Sequence, residues 1–189
     1  MYDFRCFGCL AQQETFSFPV AWGLSLQAEH ERYLAEAHFR APVFVTNYPA
    51  ALKPFYMRVD DAPAQPSASV VVAPNDAEGK SPSAADSTAA ASARTDFRTV
   101  ACFDLLVPGM GELCGGSQRE ERYSMLLSRM AESGMKTRDY AWYADLRRFG
   151  TVPHAGWGMG FERFVAFVAG MESVRDTTLV PRAAGLMQM

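Results

Sequence analysis

The sequence predicts an α+β chain, and three observations carry that reading. Gly156-Trp157-Gly158-Met159-Gly160-Phe161 alternates glycine with large apolar residues, the period-two pattern of a strand. The period then changes at once: Phe161, Phe164, Val165 and Val168 fall at i, i+3, i+4 and i+7, the spacing of a helix. Upstream, β-rich runs recur at 43–48, 53–59 and 99–107, preceded by a stretch of helical character over 27–40.

The glycine strand predicts two unlike faces. Trp157, Met159 and Phe161 can anchor one face in a core, while Gly156, Gly158 and Gly160 leave the other bare enough for a flat group to lie on the backbone. Glycines that serve only tight strand packing give the same pattern. The spacing is GxGxG, not the GxGxxG of a dinucleotide fingerprint. Arg163 stands at the strand-to-helix junction, where a guanidinium can stack on a ring or pair with a phosphate.

Composition sets the bounds. The 189 residues fit one domain, and 49% hydrophobic with 12% aromatic residues can sustain a core. A net charge of -3 gives no overall basic signal for nucleic acid, so any such contact is local or belongs to another part of a larger protein. No apolar run reaches the length of a membrane span. The first five residues lack the basic-then-apolar form of a signal peptide. Four cysteines in this length do not suggest a disulfide scaffold, and a reduced compartment is the default.

Residues 1–18 read as a loose terminal segment or as one that belongs with missing upstream sequence. Cys6 and Cys9 form a CxxC, but no second pair lies at zinc spacing. A helix is expected over 27–40, with Leu26, His30, Tyr33, Leu34 and Ala37 on its less polar side. His30-Glu31 does not start a zinc-protease HExxH, because Leu34 stands where the second histidine belongs. His30 and His38 read as structural or exposed. Val43 to Tyr48 is a strand closed by Pro49, and Lys53 to Val59 reads as the next. Residues 62–96 are rich in Ala, Ser and Pro and lack Tyr, Trp, Leu and Ile, so they cannot offset their ordering entropy by burial. They are expected to be a disordered insertion between two paired strands, which a hairpin tolerates because closure cost grows slowly with loop length. The folded unit is then 19–61 with 97–189.

The strand 99–107 runs into Pro108-Gly109, a turn signal. The turn can bring Asp104 and Glu112 together across adjacent strands, as a Mg²⁺ site completed by phosphates or as two solvent-facing acids. Ser117 and Glu120 have capping-box spacing, which predicts a helix from Ser117 with Arg119 in its first turn. A cation there gains nothing from the helix dipole, so an anionic partner is one reading and a surface arginine the other. Residues 139–149 read as a short helix with an aromatic stripe in the core. Gly170 is the expected C-cap of the last helix.

Taken together these blocks resemble the C-terminal part of the catalytic domain of class II aminoacyl-tRNA synthetases, in the asparaginyl form. Gly156 to Arg163 is similar to the family's motif 3, and Gly109 to Arg122 to the block before it. Glu29 to Leu34, Val43 to Pro49, Phe55 to Arg58 and Asp145 to His154 also fit, so the resemblance spans about 19–182 apart from the insertion. It implies an antiparallel sheet flanked by helices. It implies ATP and asparagine as substrates, Mg²⁺ as cofactor, and transfer from the adenylate to tRNA-Asn. By position, Arg119 and Arg163 would be the catalytic cations. ATP would meet Glu112, Gly156, Gly158, Gly160, Phe161, Glu162 and Arg163. Arg119, Lys53 and Tyr56 would bind the amino acid, and Asp104 and Glu112 the metal. No stretch matches motif 1, motif 2 or the anticodon-binding OB-fold domain. The expectation is therefore a partial catalytic domain, homodimeric in the full-length enzyme and with little activity alone. The other readings are a non-catalytic synthetase-like binding protein, an aspartyl-type enzyme and an amide-forming relative. A cytoplasmic enzyme and an organellar one, such as a mitochondrial one, both fit.

Overall fold

A computed structural model describes residues 2–3, 16–61, 96–183 and 185–187. The expectations at Cys6 and Cys9, and those for 62–95, lie outside the described residues.

The centre is a sheet in the order β1-β2-β3-β4-β5. β1 (Tyr2–Asp3) lies parallel to β2 (Val43–Thr46). β3 (Cys102–Val107), β4 (Gly111–Gln118) and β5 (Ala155–Met159) follow, each antiparallel to the strand before it. Burial alternates along β2: the β-branched Val43 and Val45 are buried and Phe44 between them is exposed.

Helix α1 (Ala28–Arg32) continues as a π-helical segment, Tyr33–His38. It starts with His30 Nδ1 accepting from the Gln27 backbone N–H at 3.1 Å. The expected helix over 27–40 thus ends two residues early, and Arg40 turns out of it at φ 51°. His30 is buried, His38 is exposed, and Leu34 lies in the core where the zinc-protease pattern would need a ligand. Leu34 and Ala35 pack with Val43, Val45, Tyr48, Val100 and Leu106.

The expected strand over 53–59 is not a regular strand. Ala50–Leu52 is a single 3₁₀ turn, and only Met57 and Val59 make isolated antiparallel bridges, to Arg119 and Val100. A turn from Pro54 to Met57, closed by Met57 N to Pro54 O at 3.2 Å, interrupts it. The bridge between Val59 and Val100 does pair the two sides of the insertion, supported by Asp60 N to Thr99 O at 3.0 Å and Ala101 N to Arg58 O at 2.9 Å. Asp96, expected in the insertion, accepts from the Trp22 indole at its carbonyl.

The capping box does not start a helix. Ser117 and Gln118 are the last residues of β4, and α2 (Tyr123–Glu132) begins after Arg122. Ser117 pairs with both Cys102 and Gly156, so the sheet overrides the local signal. Glu120 is instead fully buried, and its carboxylate accepts from Arg122 at 2.7 and 2.9 Å and from Val59 N at 3.2 Å. Arg122 also reaches Asp61 at 2.6 Å, and Arg58 reaches Glu121 at 3.0 Å. These ions join the chain before the insertion to the chain after β4.

The aromatic stripe at 139–149 is not core either. In α3 (Ala141–Arg148) the buried residues are Ala144 and Arg147, while Trp142 is 66% and the following Phe149 79% exposed. α4 (Phe161–Ala169) ends as expected at Gly170, with φ 66° in the left-handed region. A short hairpin, Arg182–Ala183 with Leu186–Met187, closes the described chain.

Candidate active site

β3 and β4 do not pair regularly, and that irregularity builds the site. Leu105 faces Cys114 while Leu106 faces Glu112, so Leu113 is an extra residue. In a regular strand Glu112 and Gly115, three apart, point to opposite faces. The bulge reverses the parity and re-aims Glu112. A Cβ built on Gly115 would stand 2.7 Å from Glu112 Oε1 and 3.1 Å from Asp104 Oδ1. Both carboxylates therefore converge over Gly115.

Gly115 pairs with Gly158 in β5, so the site extends across the bare strand. The β5 glycines have separate roles. A Cβ at Gly156 would come within 2.8 Å of Arg119 Nη2, and one at Gly160 within 3.3 Å of Arg163 Cδ. Gly158 has nothing within 4 Å. An open floor at Gly158 is thus bracketed along the strand by the Arg119 guanidinium at one end and the aliphatic stem of Arg163 at the other, and faced by two carboxylates across it. Four residues of strand span about 13 Å, which suits an elongated ligand.

The weaker sequence predictions each touch a stronger one. The Tyr56 ring centroid lies 4.8 Å from the Arg119 guanidinium carbon, a cation–π contact. Arg119 itself lies just past β4, bridged to Met57, not in a helix turn. Lys53 Nζ pairs with Asp104 Oδ2 at 2.8 Å and sits 3.8 Å from the Tyr48 ring centroid. Burial pushes the Tyr48 phenol far above its usual pKa, and the Asp104 charge beside it adds to that. Arg163 donates to the Glu112 backbone carbonyl. Phe161 and Glu162 are exposed in the first turn of α4.

Glu31 is a site residue that sequence reasoning missed. It lines a cavity of about 300 Å³ with Glu36, Glu112, Arg32 and Arg163. Burial raises its pKa, and the nearby charges of Glu112 and Asp104 raise it further. Its signals were the failed metal motif and its place in the Glu29 to Leu34 block of the family resemblance, neither of which gave it a role. Among the described residues no three acidic, histidine or cysteine side chains form a metal-holding group. Asp104 and Glu112 are two carboxylates at one point, a donor set that fits Mg²⁺ when substrate phosphates supply further ligands.

The opposite face differs from expectation. Trp157 is 68% and Met159 41% exposed, and neither anchors a core. They share that face with Phe44 and Phe103, which line an open groove of about 550 Å³ together with Trp157. No layer of described residues covers it.

The family model for class II tRNA synthetases (D, K and N) matches residues 11–184. The chain belongs to this family. The asparagine–tRNA ligase of Desulfotalea psychrophila is 46% identical over 176 residues, covering 93% of this chain and 32% of that protein. The Shewanella baltica asparagine–tRNA ligase is 47% identical, covering 89% of this chain and 29% of its own length. Among solved structures, the asparaginyl-tRNA synthetase of Pyrococcus horikoshii complexed with asparaginyl-adenylate superposes with a TM-score of 0.69 at 36% identity, over 96% of this chain and 34% of that one. This class II synthetase chain thus spans about a third of the length of the relatives it matches. No described helix is long and apolar enough to cross a membrane.

Proposed function

We propose that this chain supplies the adenylate-binding floor of an asparagine–tRNA ligase. The observation that carries the reading is the open backbone at Gly158, bracketed by Arg119 and Arg163 and faced by Asp104 and Glu112. In the reaction an asparagine carboxylate oxygen attacks the α-phosphorus of ATP, and the bond to pyrophosphate breaks. The adenylate carbonyl is then attacked by a tRNA hydroxyl, and AMP leaves.

Arg119, fixed between the Tyr56 ring and the Gly156 backbone, donates to the amino-acid substrate. Arg163, at the far end of the floor, stacks on adenine or meets the phosphates. Lys53 balances Asp104, and Tyr56 orients Arg119. Glu112, Gly156, Gly158, Gly160, Phe161 and Glu162 line the nucleotide side. Asp104 and Glu112 are the residues that would hold Mg²⁺, which neutralises phosphate charge when bound. The rest of the work is positioning and charge stabilisation by preset groups. tRNA-Asn, dimerisation and the second phosphate-binding arginine motif belong to other parts of a full-length cytoplasmic enzyme.

The test is a chimera in which this chain replaces the matching third of the Desulfotalea psychrophila ligase. It is expected to catalyse asparagine-dependent ATP–pyrophosphate exchange. Arg119→Ala in the chimera is expected to lower it about 10²–10³-fold, as loss of a charge-stabilising donor does. The 189 residues alone are expected to show little exchange. A folded chimera that exchanges with aspartate, or that ignores Arg119→Ala, would overturn the proposal.

A further inference from the structure

Arg129 is a charged side chain only 5% exposed, and no step of the reaction calls for it. A buried cation is costly unless it is paired and hydrogen-bonded. Its Nη1 meets Glu132 at 3.1 Å, which satisfies the charge. Its Nη2 is spent elsewhere, on two main-chain carbonyls: Ala50 O at 2.7 Å and Lys53 O at 3.2 Å. Those carbonyls flank the 3₁₀ turn Ala50–Leu52. The N-terminal end of the turn is also held by the buried Ala50, the Pro49–Thr99 bridge and Ala50 N to Arg98 O at 2.8 Å, whereas at its C-terminal end the Lys53 backbone otherwise has, among the described residues, only a long bond from its N to Ala50 O at 3.4 Å.

We propose that Arg129 is a positioning residue of the candidate active site: it clamps both ends of this turn and so sets where Lys53 meets Asp104. The path is short and continuous. From α2 it runs through the guanidinium to the Lys53 carbonyl, then along the Lys53 side chain to Asp104 Oδ2 at 2.8 Å. The Tyr48 ring under the ammonium is the side wall. A lysine at 129 keeps the charge but lacks the planar fork that reaches two acceptors. The importance of the clamp for the reaction rests on the proposed function, because Asp104 matters only if it serves the nucleotide and its metal.

Lys53, Lys80 and Lys136 are the chain's three lysines, so the ¹H–¹⁵N spectrum of lysine ammonium groups is simple, and Lys53→Met assigns the Lys53 signal. The Tyr48 ring and the Asp104 pair are expected to displace that signal from that of exposed Lys136. In Arg129→Met and Arg129→Lys the displacement is expected to shrink by more than half, while the near-ultraviolet circular dichroism stays native. Glu132→Gln, which spares the carbonyl contacts, is expected to leave it in place. An undisplaced Lys53 signal in the wild type, or an unmoved one in a natively folded Arg129 variant, overturns the clamp. If Arg129→Met does not fold, Arg129→Lys decides. A separate measurement isolates the underlying reading: Asp104→Asn is expected to weaken Mn²⁺ binding in the presence of ATP, and no change there sinks the reading while leaving the clamp to the lysine spectrum.

Discussion

Glu120→Ala is expected to destabilise the chain by about 1–3 kcal/mol, the cost of leaving its buried hydrogen-bond donors unsatisfied. Glu120 is fully buried and accepts from Arg122 through both oxygens and from the Val59 N–H. Without it, Arg122 keeps only Asp61, which is 68% exposed, and the Val59 carbonyl. The segment before the insertion then loses one of its ties to the segment after β4, beside the Met57–Arg119 bridge and the Arg58–Glu121 pair. Urea unfolding would show this as a lower midpoint at unchanged slope. Acid has the same target. Burial pushes the Glu120 carboxyl up, but the hydrogen bonds from Arg122 and from the Val59 and Arg122 backbone outweigh it and hold the pKa below its ordinary value. Hydrogen bonds from Arg58 and Arg98 likewise hold Asp61 and Glu132 low. A depressed folded pKa adds stability that is complete above the unfolded value, about 4.3 for Glu, and is lost as pH falls through the folded one. The wild type should therefore weaken as pH falls below about 4, and Glu120→Ala should lose part of that dependence. Equal stability of wild type and variant at neutral pH would show that the pair does not hold the two segments together.

Gly158→Leu is expected to do the reverse, sparing the fold and removing the ligand. The backbone at Gly158 is not in the left-handed region, and a Cβ there meets nothing within 4 Å. Leucine fits a strand better than glycine, so thermal stability should hold or rise slightly. Its side chain would project onto the open floor between Arg119 and Arg163. Binding of an adenylate analogue is expected to fall about a hundredfold, or about 2.7 kcal/mol. Gly156 gives the contrast, since a Cβ there would press on the Arg119 guanidinium itself. Unchanged affinity in Gly158→Leu would place the ligand away from β5.

What was legible in the sequence was local. The glycine alternation and the change of period at Phe161 name β5 and α4 because each pattern repeats within a few residues. Pro108-Gly109 correctly marked the β3–β4 turn. Yet a regular hairpin would have put Glu112 on the wrong face. The bulge at Leu113 that joins it to Asp104 has no signature in the sequence. Ser117 and Glu120 imitate a capping box because spacing alone does not register that Ser117 is paired on both sides. Trp157 and Phe149 look like core residues by composition, but burial depends on which other segments pack over them, and among the described residues none does. Arg129 was invisible for the same reason, since its partners are carbonyls more than seventy residues away.

The most direct test of the account is calorimetric titration of the 189-residue chain with a non-hydrolysable asparaginyl-adenylate analogue, beside Arg119→Ala and Arg163→Ala. The wild type is expected to bind saturably with one-to-one stoichiometry, and each variant at least tenfold more weakly, about 1.4 kcal/mol or more. No saturable binding by the folded wild type, or equal binding by all three proteins, would contradict it.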